Sequence, residues 1–272
     1  MAFLKVKGIN VHIQVWNESA DQTIVMLHGF TGSTHTWEPI AHQLSSFRIV
    51  AIDCIGHGKT DSPGDSSLYE MNSQIEVLEE ICRQLRLDSF ILVGYSMGGR
   101  IALSYAVKYP NRIKTLLLES ASPGLKSEEE RVLRRKADSL LADKIEADGI
   151  EKFVDTWENI SLFATQKRLP LSMQQQIRKE RLQQHAIGLA NSLRGMGTGM
   201  MPSLWEKLRE LEIPVILITG ELDVKFENIA REMTALIKKV RHLTVNDVGH
   251  AIHVENSSEF ATIIKETISS NF

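Results

Sequence analysis

Cysteine is nearly absent from the 272-residue chain: Cys54 and Cys82 are its two. That is too few for a disulfide framework and suits a reducing compartment. Charge of one sign is also lacking, since 31 Lys+Arg against 34 Asp+Glu leaves −3, which gives no basic surplus for nucleic acid. No apolar run reaches the roughly 18–20 residues that span a bilayer. The N-terminal MAFLKVKGINVHIQVW is broken by charges, unlike a secretory signal. Internal repeats and low-complexity tracts are missing. Gly58-Lys59-Thr60 has Asp53 where a phosphate loop needs glycine. No G-x-G-x-x-G follows an N-terminal strand, and neither H-E-x-x-H nor C-x-x-C occurs. With 43% hydrophobic and 24% charged residues, the expectation is a globular cytoplasmic protein without cofactor or metal. Nucleic-acid binding and membrane insertion are not expected, and oligomeric state is left open.

What is present is an alternation of two periodicities. Short β-branched runs at 23–27 (TIVML), 47–52 (FRIVAI), 90–93 (FILV) and 113–118 (IKTLLL) read as buried strands. Between them, 71–85 repeats apolar residues every 3.6 positions, and 97–109 reads as a helix stopped by Pro110. This predicts an α/β fold with a mostly parallel sheet flanked by helices. The texture changes near residue 121: from Ser127 to about Met200 the periods are helical and no strand is evident. Strand texture returns at 214–219 (PVILIT) and 242–245 (HLTV), and a last helix fits 258–269. The expected organisation is a core of residues 1–122 and 202–272 interrupted by a helical cap, 123–201.

Gly94-Tyr95-Ser96-Met97-Gly98 is G-x-S-x-G between a strand and a helix, the context in which a sharp turn lifts a serine out of the sheet edge. A serine hydroxyl needs a histidine to act as nucleophile or base. Of nine histidines, His250 lies just past the last strand, in Gly249-His250-Ala251. Asp223, in GELD after PVILIT, is the orienting acid favoured over Asp247, which follows no strand end of its own. The order Ser96, Asp223, His250 is that of one of the known triad arrangements. His28-Gly29-Phe30 follows TIVML directly, so the Phe30 and Met97 N–H groups are the expected oxyanion hole. His28 is expected to fix this loop; His12, His185, His242 and His253 are expected at the surface or in packing. Arg100, four residues after Ser96, lies one helical turn on and is the clearest cation candidate beside the serine.

The HGF loop, DCIGHGKTDSP, GYSMGG, GELD and GHAIHVE together resemble the α/β-hydrolase superfamily over essentially the whole chain. Narrower segments, GYSMGGRIALSYA, LLLESASPGL and IGLANSLRGMGTGMMPSLW, resemble the 2-succinyl-6-hydroxy-2,4-cyclohexadiene-1-carboxylate synthases of menaquinone biosynthesis. The resemblance implies a lyase that expels pyruvate from 2-succinyl-5-enolpyruvyl-6-hydroxy-3-cyclohexene-1-carboxylate, a tricarboxylate, by proton abstraction with a hydrolase triad. It implies Arg100, Arg134 and Arg181 as carboxylate ligands and Tyr95 and Trp157 as pocket walls. Arg131, Arg135 and Arg178 lie within a turn of the two cap arginines and compete with them. The cap's bulk charge does not decide, at 13 Lys+Arg against 11 Asp+Glu over 121–200. Triad and oxyanion hole serve a serine esterase or C–C bond hydrolase equally; pocket arginines separate the two readings.

Overall fold

The structure is a computed structural model and describes residues 2–269. Eight strands form one sheet: β1 (Ala2–Val6), β2 (Ile9–Trp16), β3 (Thr23–Leu27), β4 (Arg48–Ile52), β5 (Phe90–Tyr95), β6 (Ile113–Glu119), β7 (Val215–Gly220) and β8 (Val240–Val245). Their spatial order is β1-β2-β4-β3-β5-β6-β7-β8, with β1 and β2 antiparallel to their neighbours and all other pairs parallel. Nine helices accompany them among the described residues: α1 (Glu38–Gln43), α2 (Met71–Gln84), α3 (Met97–Lys108), α4 (Glu128–Trp157), α5 (Leu171–Leu182), α6 (Ala186–Met196), α7 (Val224–Thr234), α8 (Ile252–Glu255) and α9 (Ser257–Ser269). None is long and apolar enough to cross a membrane.

The central strands are buried on both faces. Every residue of β3, β5 and β7 is buried, which explains their unbroken apolar runs in sequence. One core layer packs α2 and α3 against the sheet through Ile75, Leu78, Ile101 and Tyr105; the other packs α1 and α9 through Trp37, Ile40 and Phe260. The antiparallel β1–β2 hairpin was not among the strands expected from the sequence. Its reversal at Lys7-Gly8 has φ of +49° and +86°, a left-handed pair that glycine makes accessible.

Between β6 and β7 the chain is helical, with α4, a short 3-10 segment Ser161–Arg168, α5 and α6. These elements have a small core of their own around Ala142, Ile145, Phe153, Val154, Leu189 and Leu193. α4 starts at a capping box, where Ser127 accepts from the Glu130 N–H and Glu130 accepts from the Ser127 N–H. α5 and the turn after it are tied to the loops after β3 and β4. Glu180 accepts from the Ser33 hydroxyl at 2.5 Å, and Gln184 accepts from the Gly58 N–H at 3.0 Å.

Candidate active site

The Ser96 turn is where the backbone is most constrained. Ser96 has φ +50° and ψ −104° between β5 and α3, a conformation costly for a residue with a Cβ. The glycines around it are required by contact. A Cβ on Gly94 would lie 2.5 Å from the Gly98 carbonyl oxygen, one on Gly98 would strike the Leu27 carbonyl, and one on Gly99 would lie 2.5 Å from the Ala121 methyl. This close packing of α3 on β3 and β5 aims Ser96 at the carboxyl edge of the sheet.

Three chain segments meet there. His250 Nε2 lies 3.0 Å from Ser96 Oγ, and His250 Nδ1 lies 2.6 Å from Asp223 Oδ2. Asp223 ends the turn after β7, and His250 follows β8; both are buried. Asp247 stands apart, with its carboxylate accepting from Arg168 at 2.8 Å. Phe30 follows β3 and Met97 opens α3, and both line the cavity beside Ser96. The Met97 N–H belongs to the first helical turn, whose donors have no carbonyl partner within the helix. His28 fixes the preceding loop: Nδ1 donates to the Gly29 carbonyl at 2.8 Å and Nε2 accepts from the Cys54 N–H at 3.0 Å.

The cavity over Ser96 has a volume of about 220 Å³. One wall is aromatic and comes partly from the helices between β6 and β7: Trp157 stacks on Phe153 at 5.4 Å and meets Phe30 edge-on at 5.5 Å. Tyr95 also lines it, 5.3 Å from the His250 ring, and Phe226 lies 4.6 Å from the same ring. A larger polar groove of about 880 Å³, lined by His12, Ser33, Lys59 and Gln184 among others, holds none of Ser96, Asp223 and His250.

Arg100 and Arg134 both line the Ser96 cavity. Arg100 donates to the Met196 carbonyl at 2.6 Å, at the C-terminus of α6, where the helix dipole favours a cation. Burial, reinforced by Arg134, pulls the Arg100 guanidinium down to about 10, and Asp138 acts in the opposite direction; it stays charged at neutral pH. The competing arginines of the helices between β6 and β7 are committed elsewhere: Arg131 and Arg135 pair with Glu128, and Arg178 pairs with Asp155 and Glu158. Arg181 does not line the Ser96 cavity. Its guanidinium sits 4.5 Å over the Phe163 ring and donates to Gln166 at 3.0 Å, facing smaller clefts, one of them shared with Tyr95. Lys225, absent from the sequence expectations, lines the cavity from α7, two residues past Asp223. Its signal was a cation in the first turn of the helix that follows Asp223.

The remaining histidines are mostly paired. His253 contacts Glu119 at 2.9 Å and Thr36 at 2.8 Å, and His12 contacts Asp53 at 2.7 Å. Asp53 also accepts from the Thr34 and Lys59 N–H groups at 2.5 and 2.9 Å. The Gly58-Lys59-Thr60 loop is thus organised around a buried carboxylate, an arrangement that would repel a phosphate.

Residues 22–257 match the alpha/beta hydrolase fold family. A Bacillus subtilis protein assigned as a 2-succinyl-6-hydroxy-2,4-cyclohexadiene-1-carboxylate synthase is 44% identical over 97% of this chain and 96% of its own. The synthase of that name from Photorhabdus laumondii is 31% identical over 90% of this chain and 85% of its own. The solved structure of MenH from S. aureus is 38% identical, with a TM-score of 0.91 over 94% of this chain and 97% of that one. The comparison covers the helices between β6 and β7 as well as the sheet, so this chain belongs to the 2-succinyl-6-hydroxy-2,4-cyclohexadiene-1-carboxylate synthase family within the α/β hydrolases.

Proposed function

We propose that this enzyme eliminates pyruvate from 2-succinyl-5-enolpyruvyl-6-hydroxy-3-cyclohexene-1-carboxylate, a step of menaquinone biosynthesis in the cytoplasm. The observation that carries the reading is the presence of two arginines, Arg100 and Arg134, in the cavity that holds Ser96 and His250. A pocket for a neutral ester has no use for two guanidinia; a tricarboxylate does.

In this reading residues 123–201 act as a cap that closes the cavity and supplies Arg134 and Trp157. His250, oriented by Asp223, raises the basicity of Ser96, and the pair removes the proton on the ring carbon α to the succinyl carbonyl. The Phe30 and Met97 N–H groups receive the enolate oxygen as charge develops on it. The electron pair moves through the ring alkene, the carbon–oxygen bond to the enolpyruvyl group breaks, and a conjugated diene forms. The proton held on His250 returns to the departing enolpyruvate, which ends as pyruvate. The arginines hold the carboxylates so that the acidic carbon stays near the base.

The test supplies the enolpyruvyl substrate and follows pyruvate release together with diene absorbance. Stoichiometric appearance of both supports the reading. Efficient ester hydrolysis with no pyruvate would assign a hydrolase instead.

A further inference from the structure

Asp138 stands behind the wall of this cavity, against two of its lining residues, Arg134 and Gly197. It lies on α4 and its side chain is 5% exposed. Oδ1 accepts from Arg134 Nε at 2.7 Å, one helical turn back, while Oδ2 is buried without a hydrogen-bond partner. Gly197, just past α6, packs so closely on that oxygen that a Cβ there would collide with it. Arg100, from the core, is anchored at the adjacent Met196 carbonyl. One buried carboxylate therefore stands where α3, α4 and α6 meet, close to both cavity arginines.

The contact to Arg134 is made through Nε, not through the terminal nitrogens. A guanidinium held by its Nε edge keeps terminal N–H groups available for another planar acceptor. The Arg134 side chain is 43% exposed; without a fixed partner it would sample many rotamers and lose that freedom on binding. Two guanidinia in one partly desolvated cavity also repel each other, and a carboxylate between them offsets that repulsion.

We propose that Asp138 is the positioning residue of the two-arginine carboxylate site: it fixes Arg134 by Nε so that the terminal nitrogens meet a substrate carboxylate. It touches no reacting atom, so its effect falls on binding rather than on proton transfer. The proposal rests on the tricarboxylate reading above.

The test compares Asp138→Ala and Asp138→Asn with the parent enzyme. Asp138→Ala should raise KM for the enolpyruvyl substrate at least tenfold while kcat stays within about twofold. Asp138→Asn, whose amide oxygen can still accept from Nε, should recover most of that loss. On an Arg134→Ala background, Asp138→Ala should add less than a further twofold, because the group it positions is gone. Additive losses, a KM change below twofold, or equal failure of kcat and KM in both variants would overturn the proposal. Equilibrium binding of the same substrate to Ser96→Ala separates the two levels of inference. If Ser96→Ala binds it and Asp138→Ala adds no loss, only the role of Asp138 falls. If Ser96→Ala binds no substrate, the tricarboxylate reading falls, and this proposal with it.

Discussion

Ser96 carries a left-handed backbone and a hydroxyl 3.0 Å from an imidazole that is itself held by Asp223. Ser96→Ala and His250→Ala should each lower kcat for pyruvate release by at least on the order of 10²–10⁴, with circular dichroism and melting temperature close to those of the parent. Arg100→Ala should raise KM for the tricarboxylate about tenfold or more and leave hydrolysis of a small neutral ester nearly unchanged. Arg100→Lys should recover only part, because a point charge cannot reproduce the planar fork. Equal losses on both substrates would make Arg100 a support for the α6 terminus through Met196. That Ser96, Asp223 and His250 meet was legible in sequence because each follows a strand end in a fixed chain order. The arginines of α4 and α5 were not, because several lie within a turn of one another and only the placement of their acidic partners sorts them. Glu128, Asp155 and Glu158 hold Arg131, Arg135 and Arg178 away from the cavity, whereas Asp138 holds Arg134 on it. The position of Arg181 over Phe163 depends on how α5 packs, which no periodicity encodes.

At the scale of elements, the strands that could be read were those buried on both faces, since an unbroken apolar run is its own signal. The β1–β2 hairpin lies at the sheet edge with much of β1 exposed, so polar residues interrupt it and the run disappears. Its remaining signal was the alternation in VHIQVW and the Lys7-Gly8 turn. The stretch from Ser127 to about Met200 was expected to be helical, and α4 begins where its capping box places it. Ser127→Ala removes the acceptor for the Glu130 N–H and should cost about 1 kcal/mol. In a denaturant titration the loss should show as a lower midpoint at an unchanged slope. kcat should not move, because Ser127 lies outside the cavity lining.

For the molecule as a whole, acid sensitivity follows from a buried imidazole. His57 is fully buried, with Nδ1 donating to the Ile55 carbonyl at 3.2 Å and its ring 5.2 Å from His28 and 5.7 Å from Phe30. Burial, and then His28, pushes it down to about 3. The native protein keeps this ring neutral while the unfolded chain protonates it near pH 6.5. The unfolded state therefore binds more protons between about pH 6.5 and 3, and stability falls as pH falls through that window. Burial lowers His28 as well and adds to the same slope. Unfolding midpoints measured from pH 7 to pH 4 should decline, and His57→Gln should decline less steeply. A His57→Gln curve parallel to the parent's would show that other groups set the acid limit.

The order of strands in the sheet also makes the enzyme a late reporter of its own folding. The expected oxyanion donor Phe30 hangs from β3, Ser96 from β5, Asp223 from β7 and His250 from the loop after β8. Each joins its neighbour through parallel pairings that close long loops, with the whole helical segment between β6 and β7 intervening, and such pairings are slow to form. No partial sheet assembles the site. After dilution from denaturant, helical signal should return before turnover does, and turnover should rise in step with the slowest phase of tertiary fluorescence. A chain ending before β8 should be silent even where it is folded, so the assay reads completion of the sheet rather than its beginning.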